Sequence, residues 1–238
     1  MNSDQHTTPY RCAVYFVPAL HSDWWQAGSH WLGRCAATGQ LLTQPALEGV
    51  AAAEFAACTA EPRRYGWHAT LKAPFRLAPD VDVPMLLTAL RELAGTLPAF
   101  VMPPLRVSTL GGFLALRPKG DLTLIQATAA ACVQRLHHLA MPLDEAELAR
   151  RRRVPLTPAQ DALLCEWGYP WVLDHFQFHL SLTGPLNNLP DDVRLALVQA
   201  AEARFHALPA LHFGQIAVFA EAEKGADFQL IDHVELLG

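Results

Sequence analysis

Two short stretches of this chain carry the same side-chain types at the same spacing: His68-x-Thr70-Leu71 in "RRYGWHATLKAPF" and His179-x-Ser181-Leu182 in "FQFHLSLTGPL". On an extended segment, a histidine and a hydroxyl two residues apart point to the same side, because successive side chains alternate between faces. Two such strands facing one another would offer a single ligand two imidazoles and two hydroxyls. That set suits cleavage of a phosphodiester, where the attacking water must lose a proton and the departing alkoxide must gain one. An imidazole with an ordinary pKa of about 6.5 can fill either role near neutrality. Thr70 and Ser181 would donate hydrogen bonds to the non-bridging oxygens, where negative charge is held. The scheme requires no metal and no other cofactor.

One copy of so short a pattern arises easily by chance; the surroundings give the pair its weight. Pro74 lies six residues after His68 and Pro185 six after His179, followed by Phe75 and Leu186, so the shared pattern is H-x-[TS]-L-x-x-P-[FL]. Downstream, "LRVSTLGGF" (105–113) aligns with "LHFGQIAVF" (211–219), keeping four apolar positions in register. The distance from the histidine to this block is 37 residues in the first half and 32 in the second. A degenerate internal repeat of this kind implies one domain of two similar halves rather than a solenoid. The expectation is a single domain over 1–238, with a first lobe motif at about 65–118, a helical bridge at about 121–170 and a second lobe motif at about 174–236.

The elements that must hold these groups follow from periodicity. In the first motif Tyr65, Trp67, Ala69 and Leu71 share a face opposite Gly66, His68, Thr70 and Lys72; in the second, Phe176, Phe178, Leu180 and Leu182 oppose Gln177, His179, Ser181 and Thr183. Each reads as a strand with one apolar and one polar face. Lys72 thereby becomes a further candidate for anion contact, and Tyr15, on a first strand over 10–17, a further candidate for the cleft. Helices are expected over 22–35, over 82–95 with an Asp82 cap and Pro84 in the first turn, over 122–139, over 157–168 behind Thr157 and Pro158, and over 190–205. Strands and helices thus follow one another along the chain, and the two polar strand faces can line one cleft from opposite sides. No flexible linker divides the chain.

Paired H-x-[TS]-L strands of this kind resemble the two-histidine (2H) phosphoesterase superfamily. The stretches "EPRRYGWHATLKAPFRL", "LGGFLAL", "AELARRR" and "WGYPWVLDHFQFHLSLTGPL" are similar to a bacterial branch of it found with phosphonate-degradation genes. The resemblance spans nearly the whole chain. It implies an α+β fold of two similar pseudo-two-fold-related lobes of antiparallel sheet plus helices around a central cleft, catalytic roles for His68 and His179, phosphate-binding roles for Thr70 and Ser181, and a cyclic or linear phosphodiester of a small sugar phosphate or nucleotide as substrate.

Composition narrows the partners. A net charge of −5 argues against wrapping bulk nucleic acid, which needs a broad basic face, but leaves room for a small anion at a local site. No apolar run approaches membrane-spanning length and "MNSDQHTTPY" lacks a leader's basic and apolar segments, so a cytoplasmic setting is expected. Five scattered cysteines, none in C-x-x-C spacing, read as reduced thiols. The cluster Arg150 to Arg153 reads first as a solvated helix end complementing the C-terminal dipole, and second as a phosphate clamp. His137 and His138 read as surface residues. His175 and His179 have helical ligand spacing, but strand alternation argues against a metal pair. A sugar-phosphate or nucleotide sensor, or an enzyme of RNA 2′,3′-cyclic or 2′–5′ ends, would use the same residue types. The residues set no oligomeric state.

Overall fold

The structure, a computed structural model, describes residues 8–237. The first seven residues, part of the stretch judged above for a leader, lie outside it. In chain order the elements are β1 (Arg11–Phe16), α1 (Asp23–Leu32), α2 (Ala52–Cys58), α3 (Ala60–Tyr65), β2 (Ala69–Phe75), α4 (Val83–Ala94), β3 (Phe100–Val101), β4 (Leu105–Leu110), β5 (Phe113–Pro118), α5 (Thr123–Arg135), α6 (Glu145–Arg151), α7 (Pro158–Trp167), β6 (Leu180–Pro185), α8 (Asp191–His206), β7 (His212–Phe213), β8 (Gln215–Glu221) and β9 (Phe228–Glu235). Single 3-10 turns at His137–Leu139 and Leu173–His175 complete the set. The fold is α+β, as the resemblance implied.

The helix boundaries have local causes. Asp82 accepts the Met85 backbone N–H at 2.8 Å and Pro84 lies in the first turn of α4, which buries Leu86, Leu90, Leu93 and Ala94. Thr157 and Gln160 form a reciprocal capping box at the start of α7, and Gly168, at φ 75°, closes it in the left-handed conformation. Asp144 and Glu147 form a second box at the start of α6.

Spatial order and chain order part company in the sheets. One antiparallel sheet runs β2-β1-β8-β9 and another β4-β5-β6, while β3 and β7 make a two-stranded ribbon. The first motif strand, β2, therefore shares a sheet with strands from the two ends of the chain, and the second, β6, with strands from residues 105–118. The segments expected as the two lobe motifs, 65–118 and 174–236, each contribute to both sheets. Both sheets still set out the motif strand, its neighbour and a third strand in the same way, β2-β1-β8 and β6-β5-β4. The third strands lie in the very blocks whose sequences align. Strand β1 is buried from Cys12 to Phe16 and β8 along its whole length, the continuous apolar pattern of strands covered on both faces.

Both motif strands start later than alternation implies, β2 at Ala69 and β6 at Leu180, so each histidine sits one residue before its strand. Tyr65 ends α3 rather than opening a strand. The expected apolar faces persist at Trp67, Ala69 and Leu71 and at Phe178, Leu180 and Leu182, all buried.

Candidate active site

His68 is presented by a backbone with little freedom. Gly66 ends α3 at φ 80°, ψ −178°, a conformation essentially restricted to glycine, and a Cβ there would stand 2.5 Å from the Ala36 Cβ. Trp67 is buried, stacked on Phe205 with ring centroids 5.3 Å apart. Its indole lies so close to α1 that a Cβ on Gly28 would come within 2.0 Å of the ring. Pinned on both sides, the chain delivers His68 with Nδ1 2.9 Å from the Gly66 carbonyl and Nε2 3.3 Å from Thr70 Oγ1. A carbonyl can only accept, so Nδ1 carries the proton and Nε2 of the neutral ring is the free base.

The second motif repeats the device. His179 Nδ1 lies 2.7 Å from the Gln177 carbonyl, again two residues upstream, and Ser181 follows at the same interval as Thr70. His68, Thr70, His179 and Ser181 all line one cleft of about 690 Å³, a volume typical of small-ligand sites. Burial lowers the pKa of His68 to about 4, against the raising effect of the Gly66 carbonyl, and a charge on His179 lowers it further. Burial also lowers His179, opposed by the Gln177 carbonyl and assisted by Arg117. A charge on His179 thus opposes protonation of His68.

Tyr15 lines the same cleft and stacks on His68, ring centroids 3.8 Å apart. Its phenol is fully buried, and burial raises its pKa well above the ordinary value, so it stays neutral. It serves as the wall that strips water from His68.

Lys72 departs from expectation. The β1–β2 register jumps from Tyr15↔Thr70 to Val14↔Lys72, a bulge at Leu71 that shifts the phase of alternation. Ala73 rather than Lys72 then follows Thr70 into the cleft. Lys72 turns instead into a neighbouring hollow, with Nζ 3.5 Å from the Val133 carbonyl.

The basic cluster divides. Arg152 pairs with Asp161 in the solvated manner expected of a helix end, but Arg150 and Arg151 line the histidine cleft. Arg151 lies over the Tyr169 ring at 6.0 Å. Periodicity shows that these arginines end a helix; where that end is aimed depends on how residues 144–171 pack over the sheets. Arg11 also reaches the cleft, bound at 2.5 Å to the fully buried Glu221, which Arg64 and the Gly225 N–H hold as well. Tyr65, Phe113, Tyr169 and Trp171 give the cleft its apolar walls. His137 is half-buried rather than fully on the surface: it meets Trp167 edge-on at 5.0 Å, and its Nδ1 is buried. His138 is exposed. Among the described residues, no three His, Cys, Asp or Glu side chains cluster at metal-ligand spacing, and no helix is long and apolar enough to cross a membrane.

Comparison with known proteins adds a family. The chain is 40% identical over 221 residues to a Janthinobacterium sp. (strain Marseille) protein named ribose 1,5-bisphosphate phosphokinase PhnN, covering 92% of this chain and 49% of that one. It is 38% identical over 228 residues to a Laribacter hongkongensis (strain HLHK9) protein of the same name, covering 95% and 52%. The chain thus spans about half the length of these curated relatives. Among solved structures, E. coli LigT complexed with NADP+ aligns over 97% of this chain and 99% of its own at 12% identity and a TM-score of 0.42. LigT complexed with 3′-AMP aligns over the same shares at 14% and 0.41. Residues 70–229, which include Thr70, His179 and Ser181, match the family described as a protein of unknown function, DUF1045, and with two thirds of its length inside that match the chain belongs to this family.

Proposed function

We propose that the protein is a metal-independent phosphodiesterase acting on a cyclic or linear phosphodiester of a small sugar phosphate or nucleotide. The observation that carries this reading is the convergence of both His-x-Thr/Ser pairs on one cleft, each imidazole tethered through Nδ1 so that Nε2 is the working nitrogen. In the reaction, Nε2 of neutral His68 takes a proton from water as the water oxygen attacks phosphorus. Imidazolium His179 gives its Nε2 proton to the departing alkoxide as the P–O bond breaks. Thr70 and Ser181 donate to the non-bridging oxygens, and Arg150 and Arg151 add positive charge at the rim. The roles follow the environments: His68, whose pKa falls to about 4, is the group held neutral.

The relatives' name, ribose 1,5-bisphosphate phosphokinase PhnN, supports a sugar phosphate as the ligand class and, with the family resemblance, a link to phosphonate utilisation. Their kinase activity is not assigned to this chain, which spans half their length and contains no G-x-x-x-x-G-K-[ST] phosphate loop. The test is turnover of 2′,3′-cyclic nucleotides, cyclic ribose phosphates and linear diesters by chelator-treated protein. Hydrolysis that disappears in both His68→Ala and His179→Ala is expected. Tight binding of these compounds without turnover would replace the enzyme with a sugar-phosphate sensor.

A further inference from the structure

Beside the cleft is a second hollow of about 150 Å³, well above the roughly 10–15 Å³ that one ordered water needs. It shares Ala73, Pro74, Arg151 and Tyr169 with the cleft, so the two are contiguous. Lys72, His137 and Arg151 stand on its wall, with Glu166 the one acid among them. Lys72 is 4% exposed and projects from the strand that carries Thr70. Its neighbours are the Val133 carbonyl, at 3.5 Å, and the Phe75 ring, 5.0 Å from Nζ. Among the described residues, neither Lys72 nor Arg151 forms a salt bridge. Arg151 Nε, His137 Nδ1 and Trp167 Nε1 are each buried without a hydrogen-bond partner.

Such an arrangement is costly for the protein alone. A buried ammonium is tolerated when paired and hydrogen-bonded. The Phe75 ring offsets part of the cost but offers no acceptor. Removal from water lowers the Lys72 pKa to about 8, and His137 is lowered by burial and then by Lys72. Water in the hollow would satisfy donors but leave the charge uncompensated. A tetrahedral oxyanion would do both, with several acceptor oxygens and negative charge set between a lysine and an arginine.

We propose that this hollow is an anion subsite for a phosphate group, held by Lys72 and Arg151 with His137 beside them. The phosphate comes either from the far end of a substrate whose diester lies between the histidines or from free phosphate. The first source rests on the function proposed above; the subsite itself does not.

Two measurements separate these cases. In the first, inorganic phosphate is titrated calorimetrically into the chelator-treated full chain carrying His68→Ala and His179→Ala, with and without Lys72→Met. Binding by the double variant, weakened about 30-fold or more by Lys72→Met, is expected. Equal affinity with and without Lys72→Met, or no binding by the double variant at millimolar phosphate, overturns the subsite. Lys72→Gln, which keeps a polar group in the hollow but no charge, replaces Lys72→Met if that chain does not fold, and is read by the same criterion. In the second, kcat/KM is compared for a 2′,3′-cyclic nucleotide with and without a 5′-phosphate. A preference for the phosphorylated compound that collapses about 30-fold in Lys72→Met assigns the subsite to substrate. An unchanged preference alongside weakened phosphate binding assigns it to free phosphate. Absence of turnover on every diester removes the proposed reaction while leaving the titration to decide the subsite.

Discussion

The two sides of the cleft use one device in two settings. Both histidines donate Nδ1–H to the carbonyl two residues upstream and precede a hydroxyl two residues downstream. On the first side the ring is clamped against Tyr15 at 3.8 Å, with Tyr65 and Phe219 at 6.2 and 6.3 Å. On the second the nearest aromatic ring is Phe113, at 5.7 Å. The tether fixes which nitrogen works; the surroundings fix how readily it holds a proton. A duplicated motif can thus set two imidazoles in unlike surroundings, which in the proposed reaction serve as base and acid, with no change in the motif itself.

The sharpest way to break this comparison is to remove each imidazole in turn. His68→Ala and His179→Ala should each lower kcat/KM on an alkyl diester by about 10²–10⁴-fold. On an aryl diester, whose phenolate needs little protonation to leave, His179→Ala should recover most of its activity and His68→Ala should not. Steady-state kinetics on the two substrates checks this, and equal losses on both would show that the two settings do not divide the labour. The hydroxyls come next. Thr70→Val and Ser181→Ala should each cost about a hundredfold in kcat. Thr70→Val alone should also move the pH profile, because Thr70 Oγ1 sits 3.3 Å from His68 Nε2.

The tethers differ in what carries them. The carbonyl that holds His68 belongs to a glycine at φ 80° beside Ala36, while the one that holds His179 belongs to exposed Gln177. Gly66→Ala should lower stability by about 1–3 kcal/mol and reduce kcat as His68 shifts. Gln177→Ala should stay within about 0.5 kcal/mol of the parent. Thermal melts of the two variants, with kcat beside them, test the pair.

The fold and the site were legible in the sequence to different depths. Alternation around His68 and His179 marked a polar and an apolar face because it depends on the strand alone, and the caps at Asp82 and Thr157 are equally local. Lys72 was misplaced because one extra residue at Leu71 shifts the phase, and nothing in "TLKAP" distinguishes a bulged strand from a regular one. For Arg150 to Arg153 the dipole argument ranks a solvated helix end ahead of a phosphate clamp because it sees only the helix, not the surface over which it ends. The exchange of strands between halves, β8 joining β2 and β4 joining β6, rests on pairings far apart in sequence, which an aligned repeat cannot distinguish from pairings within each half.

The smallest predicted effect tests the comparison without any substrate. In the unfolded chain His68 takes up a proton near pH 6.5, whereas in the folded protein burial against Tyr15 delays this to about pH 4. Between those values the unfolded state binds more protons, so stability falls as the pH drops through the window and is fully present above it. From pH 7 to 5.5 the His68 contribution amounts to about 1 kcal/mol. His68→Gln, which does not titrate, should remove that much of the pH dependence of unfolding in urea. His179→Gln should remove less, because the second ring meets Phe113 at 5.7 Å rather than being stacked on a tyrosine at 3.8 Å. If the two variants flatten the profile equally, the rings are equally walled, and the division into base and acid would have to come from the substrate rather than from the protein.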